Sequence, residues 1–286
     1  MFMGIFVGLL AAFGASSLNV FLKQLSDFTP NFLSWVRFTA AAISIALIVT
    51  VFLDWEIPAI EFWLIVLFAK VPIEILLAYL TTISLRLSDL SIVGPISASF
   101  SSLFLVPVGY FVLGELPTDI GFIGVLSVVG GSFFLGEKKN GKYFEGLKNL
   151  ILARGVWLAV LSAFLASVAI SITKLLFHYA HPLLATFYAT ATLSIVLVPF
   201  ALKQQKVRLR SRVKPIVGLW ATSSISIALH NYGLSLMPAV YFISIKRLSM
   251  IFDVFFGKRF FKEEHVGERL IGASIMVLGV ALIALD

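Results

Sequence analysis

The chain has 286 residues, of which 59% are hydrophobic and only 13% charged, and its mean hydropathy is +1.01. Soluble domains of this length carry about twice that share of charged residues, so the composition excludes an ordinary soluble protein and indicates a polytopic membrane protein. Cysteine is absent, which excludes disulfides, thiolate chemistry and cysteine-ligated metals.

The apolar segments predict ten membrane-spanning helices, because a helix needs about 20 apolar residues to cross a bilayer. In chain order they cover residues 2–24, 30–52, 60–84, 91–113, 118–135, 154–177, 182–202, 214–236, 238–257 and 266–285. Four prolines stand at predicted helix starts, where a missing N–H removes no hydrogen bond: Pro30, Pro182, Pro215 and Pro238. The predicted fold class is an all-α integral membrane protein.

Basic residues in the connecting loops predict the orientation. The loop 203–214 holds six Lys and Arg residues and the loop 136–153 is also basic, whereas the connections 2–3, 4–5, 6–7 and 8–9 between helices hold none. The positive-inside rule places the two basic loops in the cytoplasm. We therefore expect a multi-pass protein of the cell (plasma or inner) membrane with both termini outside the cytoplasm. This explains the net charge of +7 without a nucleic-acid partner.

The two halves of the chain resemble each other. Residues 4–23 align with 155–174 at a shift of 151 positions, and the segment around Glu115 aligns with that around Glu263 at a shift of 148. Because each half holds an odd number of predicted helices, the halves insert with opposite orientations. Inverted repeats of this kind are typical of secondary transporters, whose substrate site lies near the midplane between the repeats.

The expected organisation is a first five-helix repeat over 1–135, a cytoplasmic linker over 136–153 and a second five-helix repeat over 154–286. Positions shared by both halves are expected to serve the common scaffold, and the shared lysines, Lys23 and Lys174, to reach the membrane interface from helix ends. Charged positions found in one half only are better candidates for substrate handling.

Three segments carry a family resemblance: "LGE" (113–115), "FFKEEHVGERLIGA" (260–273) and "SLRLSDLSIVGP" (84–95). The first two precede Gly-rich helices, and the third leads into the fourth helix. Together with ten helices and the repeat, they resemble the drug/metabolite transporter superfamily, and within it the EamA-type ten-helix members, over essentially the whole chain. The resemblance implies alternating-access transport rather than enzymatic activity.

The stretch "IKRLS" (245–249) on the ninth helix is similar to the Lys-Arg pair of the triose-phosphate and nucleotide-sugar branch of this superfamily. That similarity implies that Lys246 and Arg247 bind an anionic group of the substrate. Independently, Lys246 lies about 12 Å beyond Pro238 along the helix, near the bilayer midplane. Cations at that depth cost about 2.5–3.5 kcal/mol each, so they need a cavity or a partner.

The sequence leaves open whether the Lys-Arg pair holds a substrate or forms internal ion pairs with Asp253 or Glu74. In the binding interpretation, side chains of neighbouring turns and helices complete the site: Tyr241, Ser244, Asn19 and Ser101. Lys70 and Glu74 are spaced i, i+4, so they form either a self-neutralising pair or a proton-coupling site.

A second candidate gate or site comprises Arg37 on the second helix and His230 and Asn231 on the eighth; the histidine is either a pH sensor or a hydrogen-bonded packing residue. Predicted mid-membrane cations outnumber carboxylates: Arg37, Lys70, Lys246 and Arg247 against Glu74 and Asp253. The excess favours an anionic or zwitterionic substrate over a cationic one.

The predicted function is a secondary active transporter that moves a small metabolite across the plasma membrane by alternating access. Two alternatives stay open: a proton-coupled exporter of amino acids or amphipathic drugs, and a flippase for a lipid-linked sugar or headgroup. The expected partners are a small-molecule substrate, the lipid bilayer and protons as a candidate coupling ion, in a monomer or homodimer. The four histidines lack metal-ligand spacing, and no nucleophile stands beside an evident base, so we expect no metal, no cofactor and no enzyme.

Overall fold

The computed structural model describes residues 2–25, 27–87, 90–135, 154–203, 212–261 and 269–285. Within these ranges the regular structure is entirely helical. The helices are α1 (Phe2–Gln24), α2 (Pro30–Phe52), α3 (60–87), α4 (Leu90–Leu113), α5 (Asp119–Leu135), α6 (Arg154–Leu176), α7 (Pro182–Ala201), α8 (Val213–Leu236), α9 (239–261) and α10 (Arg269–Ala284). The ten predicted helices are therefore confirmed. The linker 136–153 and most of the loop 203–214 lie outside the described residues.

The helices have the length and surface of membrane spans. Within the described residues, five helices are long and apolar enough to cross a bilayer: Phe2–Leu22, Pro30–Phe52, Ile60–Thr81, Arg154–Leu176 and Pro182–Ala201. Three further helices contain shorter apolar stretches, Phe100–Leu113, Asp119–Gly131 and Ser274–Ile283. Large apolar side chains point outward; Phe68 and Phe111, for example, are 77% and 84% exposed. Contact of such an apolar surface with lipid is favourable, whereas its contact with water is unfavourable.

Helix α3 contains an irregular turn that the apolar pattern did not predict. Its first part, Ile60–Ile65, continues through a π-helical turn, Val66–Lys70, into a regular α-helix, Val71–Leu87. Pro72 follows the turn directly, and a proline inside a helix lacks an N–H and clashes with the carbonyl four residues earlier. The wider π-turn relieves that clash, and π-turns of this kind recur at functional sites.

Helix α9 is also discontinuous, whereas the sequence predicted one continuous span ending near residue 257. The structure has two pieces, Ala239–Lys246 and Ser249–Phe261, separated at Arg247 and Leu248. At the break the backbone forms tighter i to i−3 hydrogen bonds, such as Leu248 N to Ile245 O at 3.0 Å. The break therefore begins at Arg247, directly after Lys246.

The helices pack in a pattern that is symmetric between the halves. Helix α5 packs on α10, and α2 packs on α7. The contact of α4 with α6 corresponds to that of α9 with α1, and the contact of α1 with α8 corresponds to that of α6 with α3. If each helix is replaced by its equivalent in the other half, five places away along the chain, each of these six contacts becomes either itself or another of the six.

Glycines allow α5 and α10 to approach closely. A Cβ added to Gly124 would lie 2.7 Å from the carbonyl oxygen of Gly279, and one added to Gly131 would lie 2.7 Å from that of Gly272. The shift of 148 relates Gly124 to Gly272 and Gly131 to Gly279, so the two contacts are also exchanged by the repeat. Close approach through small residues is a common way to pack helices in membranes.

Candidate functional site

A cavity of about 190 Å³ lies between α2 and α3 of the first half and α6, α7 and α8 of the second. Its polar lining consists of Lys70, Glu74, Thr173, Thr186, Thr190, His230 and Asn231. Apolar side chains such as Phe38, Leu77 and Phe177 complete the wall. We call this space the central cavity.

Lys70 and Glu74 form an ion pair at the wall of the central cavity. The Nζ of Lys70 lies 2.6 Å from Oε1 of Glu74, 2.7 Å from Oγ1 of Thr173 and 3.2 Å from the carbonyl oxygen of Ala169. The three donors of the ammonium thus have three acceptors, although the residue is only 7% exposed. The pairing predicted from the i, i+4 spacing is present, and the π-turn of α3 ends at this lysine.

Lys246 reaches the central cavity through His230. Its Nζ lies 3.0 Å from Nδ1 of His230. An ammonium group can only donate a hydrogen bond, so Nδ1 accepts and the imidazole proton resides on Nε2. His230 lines the cavity, whereas Lys246 stands behind it.

Arg247 turns away from its neighbour, toward helix α4. Its Nε donates to Oγ of Ser102 at 3.3 Å, and an Nη donates to Oγ of Ser101. Consecutive helical residues project about 100° apart, which explains why Lys246 and Arg247 contact different helices. In the part of the chain that the structure describes, the bonded partners of both cations are uncharged, and Glu74 is engaged by Lys70. The side chain of Asp253, a predicted counter-ion, lies outside the described part.

Arg37 completes a positively charged interior. The Nε of Arg37 is buried without a hydrogen-bond partner among the described residues. The described side chains of the predicted set are therefore four cations, Arg37, Lys70, Lys246 and Arg247, and one carboxylate, Glu74. The charge excess stays a prediction, because it also counts the side chain of Asp253.

The structure places the remaining predicted site residues as follows. Asn231 lines the central cavity beside His230. Ser244 is fully buried one turn before the Lys-Arg pair, and its hydroxyl has no hydrogen-bond partner among the described residues. Asn19 is exposed on α1. Tyr241 also lies elsewhere: its hydroxyl accepts a hydrogen bond at 2.9 Å from the backbone N–H of Thr118, before α5.

One ion pair was not anticipated. Lys174 at the end of α6 pairs with Glu115, and its Nζ also donates to the carbonyl oxygen of Met237 at 2.7 Å. Oε2 of Glu115 accepts from the backbone N–H of Ala239 at 2.9 Å and so caps the first piece of α9. Lys174 was expected to reach the membrane interface; the structure shows it bonded to a carboxylate and a carbonyl at the end of α6, and its position relative to the interface stays a prediction. The side chain of its repeat counterpart, Lys23, lies outside the described part.

The fold and its charged interior define a polytopic helical membrane protein with a buried polar cavity. Residues 153–285 match the model of the EamA-like transporter family. The match covers the second half of the chain and confirms its resemblance to the drug/metabolite transporter superfamily. Members of that family are membrane transporters.

A solved structure described only as "Crystal structure of protein" has a similar fold, with a TM-score of 0.75 and 16% sequence identity. The superposition covers 99% of this chain and 96% of that one. At this identity the likeness concerns the fold alone, and it extends over both halves. No curated protein matches the chain significantly.

Proposed function

We propose that this chain is a secondary active transporter that binds a small organic anion or zwitterion near the midplane and moves it across the cell membrane by alternating access. The observation that carries the proposal is the local excess of cations beside the central cavity. Lys246 and Arg247 are hydrogen-bonded to a histidine and two serines, all uncharged. A negatively charged substrate supplies the charge that these partners lack.

Placing charged side chains inside the membrane costs free energy. A cation in the middle of a bilayer costs about 2.5–3.5 kcal/mol on insertion scales, and neutral hydrogen-bond partners offset only part of that. An anion that bridges Lys246 and Arg247 lowers the cost of both. Arg supplies a planar pair of donors suited to carboxylate or phosphate, and Lys supplies a point charge. The break of α9 lies at Arg247 and Leu248, next to Lys246, and discontinuous helices form the substrate sites of other transporters.

The organisation that we propose is two inverted five-helix repeats, 1–135 and 154–286, joined by a cytoplasmic linker. The symmetric packing of the helices and the exchanged glycine contacts between α5 and α10 support it. The central cavity lies between helices of both repeats, which is where an alternating-access transporter needs its site. The basic loops favour an orientation with both termini outside the cytoplasm.

A binding screen tests the proposal. Purified protein is melted with anionic, zwitterionic and cationic metabolites, and a ligand present at 100 times its dissociation constant stabilises by about 2.7 kcal/mol. We expect stabilisation by anions or zwitterions that is lost in Lys246→Ala and Arg247→Ala. Lys214→Ala, which removes an exposed cation at the start of α8, is the matched control and should keep the response. Stabilisation by cations alone would contradict the proposal.

The second candidate function, proton-coupled export, is favoured by the position of Glu74. Its carboxylate lines the central cavity, where it is paired with Lys70. A carboxylate that exchanges protons with the cavity can couple their movement to transport. Glu74→Gln should then uncouple uptake from a pH gradient while substrate-driven exchange continues. Unchanged pH-gradient dependence in Glu74→Gln would reject this function.

A further inference from the structure

A second, larger space opens at the end of the bundle where the connections α4–α5, α6–α7 and α8–α9 meet. It measures about 540 Å³. Residues that line it include Glu115, Lys174, Phe177, His178, Ser235 and Pro238. We call it the outer groove, because the loop charges place these connections outside the cytoplasm.

Phe177 separates the outer groove from the central cavity, since its side chain lines both. It is the first residue after α6, and its N–H donates to the carbonyl oxygen of Lys174 at 3.1 Å. The half-buried ring also packs against two hydrophobic clusters of the core. A small movement of the turn after α6 would therefore join the two spaces.

The ion pair of Lys174 and Glu115 holds this turn closed. Lys174 stands three residues before Phe177 and bonds to Glu115 and to the carbonyl oxygen of Met237. Glu115 in turn holds the N–H of Ala239. One ion pair thus links the end of α6 to two connections: α4–α5, which belongs to the first half of the chain, and α8–α9, which belongs to the second.

The same pair is connected to the proposed substrate cations through the first piece of α9. That piece begins at Ala239, bonded to Glu115, and ends at Lys246, bonded to His230. Its eight residues span about 12 Å as a rigid helix and are buried from Ala239 to Ile245. A displacement of Lys246 on substrate binding would therefore pull on the cap at Glu115.

We propose that the outer groove is the extracytoplasmic vestibule of the transport path, and that Phe177, held by the Lys174–Glu115 pair, is the gate between it and the central cavity. This inference rests on the proposed transport function and on the proposed orientation. It assigns Phe177 a role in access, as part of the wall of the central cavity, and Glu115, which lines the outer groove only, a role in holding the gate.

The absence of cysteine from the chain permits a direct test of access. Thr190→Cys places a thiol in the central cavity, and Ser235→Cys places one in the outer groove. Each variant is treated in right-side-out and in inverted vesicles with a membrane-impermeant methanethiosulfonate reagent, without added substrate. From the extracytoplasmic face we expect fast reaction at position 235 and slow reaction at position 190.

Gate variants are then added to Thr190→Cys. Phe177→Ala and Glu115→Gln should each raise the extracytoplasmic reaction rate at position 190 at least tenfold, whereas the bulk-retaining Phe177→Leu should leave it near the parent value. Glu115→Gln keeps an acceptor for the N–H of Ala239, so it tests the ion pair even if Phe177→Ala fails to fold. The rate at position 235 should be the same in every background.

Two results would overturn the gate. One is a labelling rate at position 190 that neither Phe177→Ala nor Glu115→Gln changes; the other is a reaction at position 235 that occurs only from the cytoplasmic face. Because labelling needs no substrate, its failure is distinct from that of the proposed function. If the labelling rate at position 190 depends on Phe177 but the protein transports no anion, the gate is supported and the proposed substrate class is rejected. If anion uptake requires Lys246 but the labelling rate does not depend on Phe177, only the gate is rejected.

Discussion

The Nζ of Lys70 on α3 lies 2.7 Å from Oγ1 of Thr173 on α6, so a hydrogen bond to a buried ammonium joins the first half of the chain to the second. Three other cations make similar crossings: Lys174 to Glu115, Arg247 to Ser101 and Ser102, and Arg212 to Asp27. Among the described residues, charged hydrogen bonds therefore fasten the two halves at four places. Contacts of this kind can open and close as units when one half moves against the other.

Removing Lys70 should destabilise the protein more than removing both members of its pair. Lys70→Met leaves the carboxylate of Glu74, whose side chain is 22% exposed, without its ion-pair partner. We expect a loss of about 3 kcal/mol, at the low end for a broken buried pair because Glu74 keeps some access to the cavity. The double variant Lys70→Met/Glu74→Met should recover to within about 1 kcal/mol of the parent.

Thermal or denaturant unfolding of the purified variants measures this difference. Lys214→Met serves as the control, because that lysine is exposed at the start of α8 and its loss should change stability by less than about 0.5 kcal/mol. If the double variant were as unstable as Lys70→Met, the ion pair would not be the source of the loss.

The contact between α5 and α10 should be sensitive to a single methyl group. Gly124→Ala places a Cβ 2.7 Å from the carbonyl oxygen of Gly279, and backbone cannot yield as a side chain can. We expect a loss of about 1–3 kcal/mol in the free energy of unfolding. Gly130→Ala on the same helix meets nothing within 4 Å and should be neutral or slightly stabilising. Equal stability of the two variants would contradict the close helix approach.

Glu115 should prove to have two separable roles. Glu115→Ala removes the partner of Lys174 and the cap on the N–H of Ala239, whereas Glu115→Gln removes the negative charge and keeps an acceptor for the cap. We expect Glu115→Ala to unfold more easily than Glu115→Gln by about 1 kcal/mol, the usual contribution of an N-cap. Melting curves of the two variants, measured side by side, test this difference. Coincident curves would show that Glu115 does not stabilise α9 as a cap.

His230 should matter through its Nδ1 acceptor rather than through a charge. Asn places its side-chain oxygen near the position of Nδ1, so His230→Asn should retain the contact with Lys246, while His230→Leu removes it. A lost hydrogen bond to a charged group costs about 1.5–3 kcal/mol, which corresponds to a loss of at least tenfold in equilibrium. We expect that loss in anion affinity for His230→Leu and near-parent affinity for His230→Asn. Matching affinities for the two variants would show that Lys246 does not depend on this partner.

The helix limits followed from the sequence because the thickness of the bilayer dictates them. Predicted and observed ends of α1 and α2 coincide, and the largest difference is at the end of α9, predicted at 257 and found at 261. The pairing of Lys70 with Glu74 followed in the same way, because i, i+4 residues share one face of a helix whatever packs against it.

The side chains that a helix turns toward its neighbours could not be predicted in this way, because packing between helices decides how each helix is rotated about its axis. Tyr241 was assigned to the site because it lies about one turn before Lys246, whereas its hydroxyl accepts a hydrogen bond from Thr118. The pairing of Lys174 with Glu115 was missed because shared repeat positions were taken as scaffold. The π-turn before Lys70 had one available signal, Pro72, whose ring cannot fit a regular helical turn.

Anion uptake into proteoliposomes tests the central claim most directly. The anion with the largest stabilising effect is measured in counterflow with the parent protein, with Lys246→Ala, with Arg247→Ala and with the exposed-site control Lys214→Ala. We expect uptake by the parent and by Lys214→Ala, and a loss of at least tenfold in both Lys246→Ala and Arg247→Ala. Parent-like uptake by Lys246→Ala and Arg247→Ala would contradict the central claim.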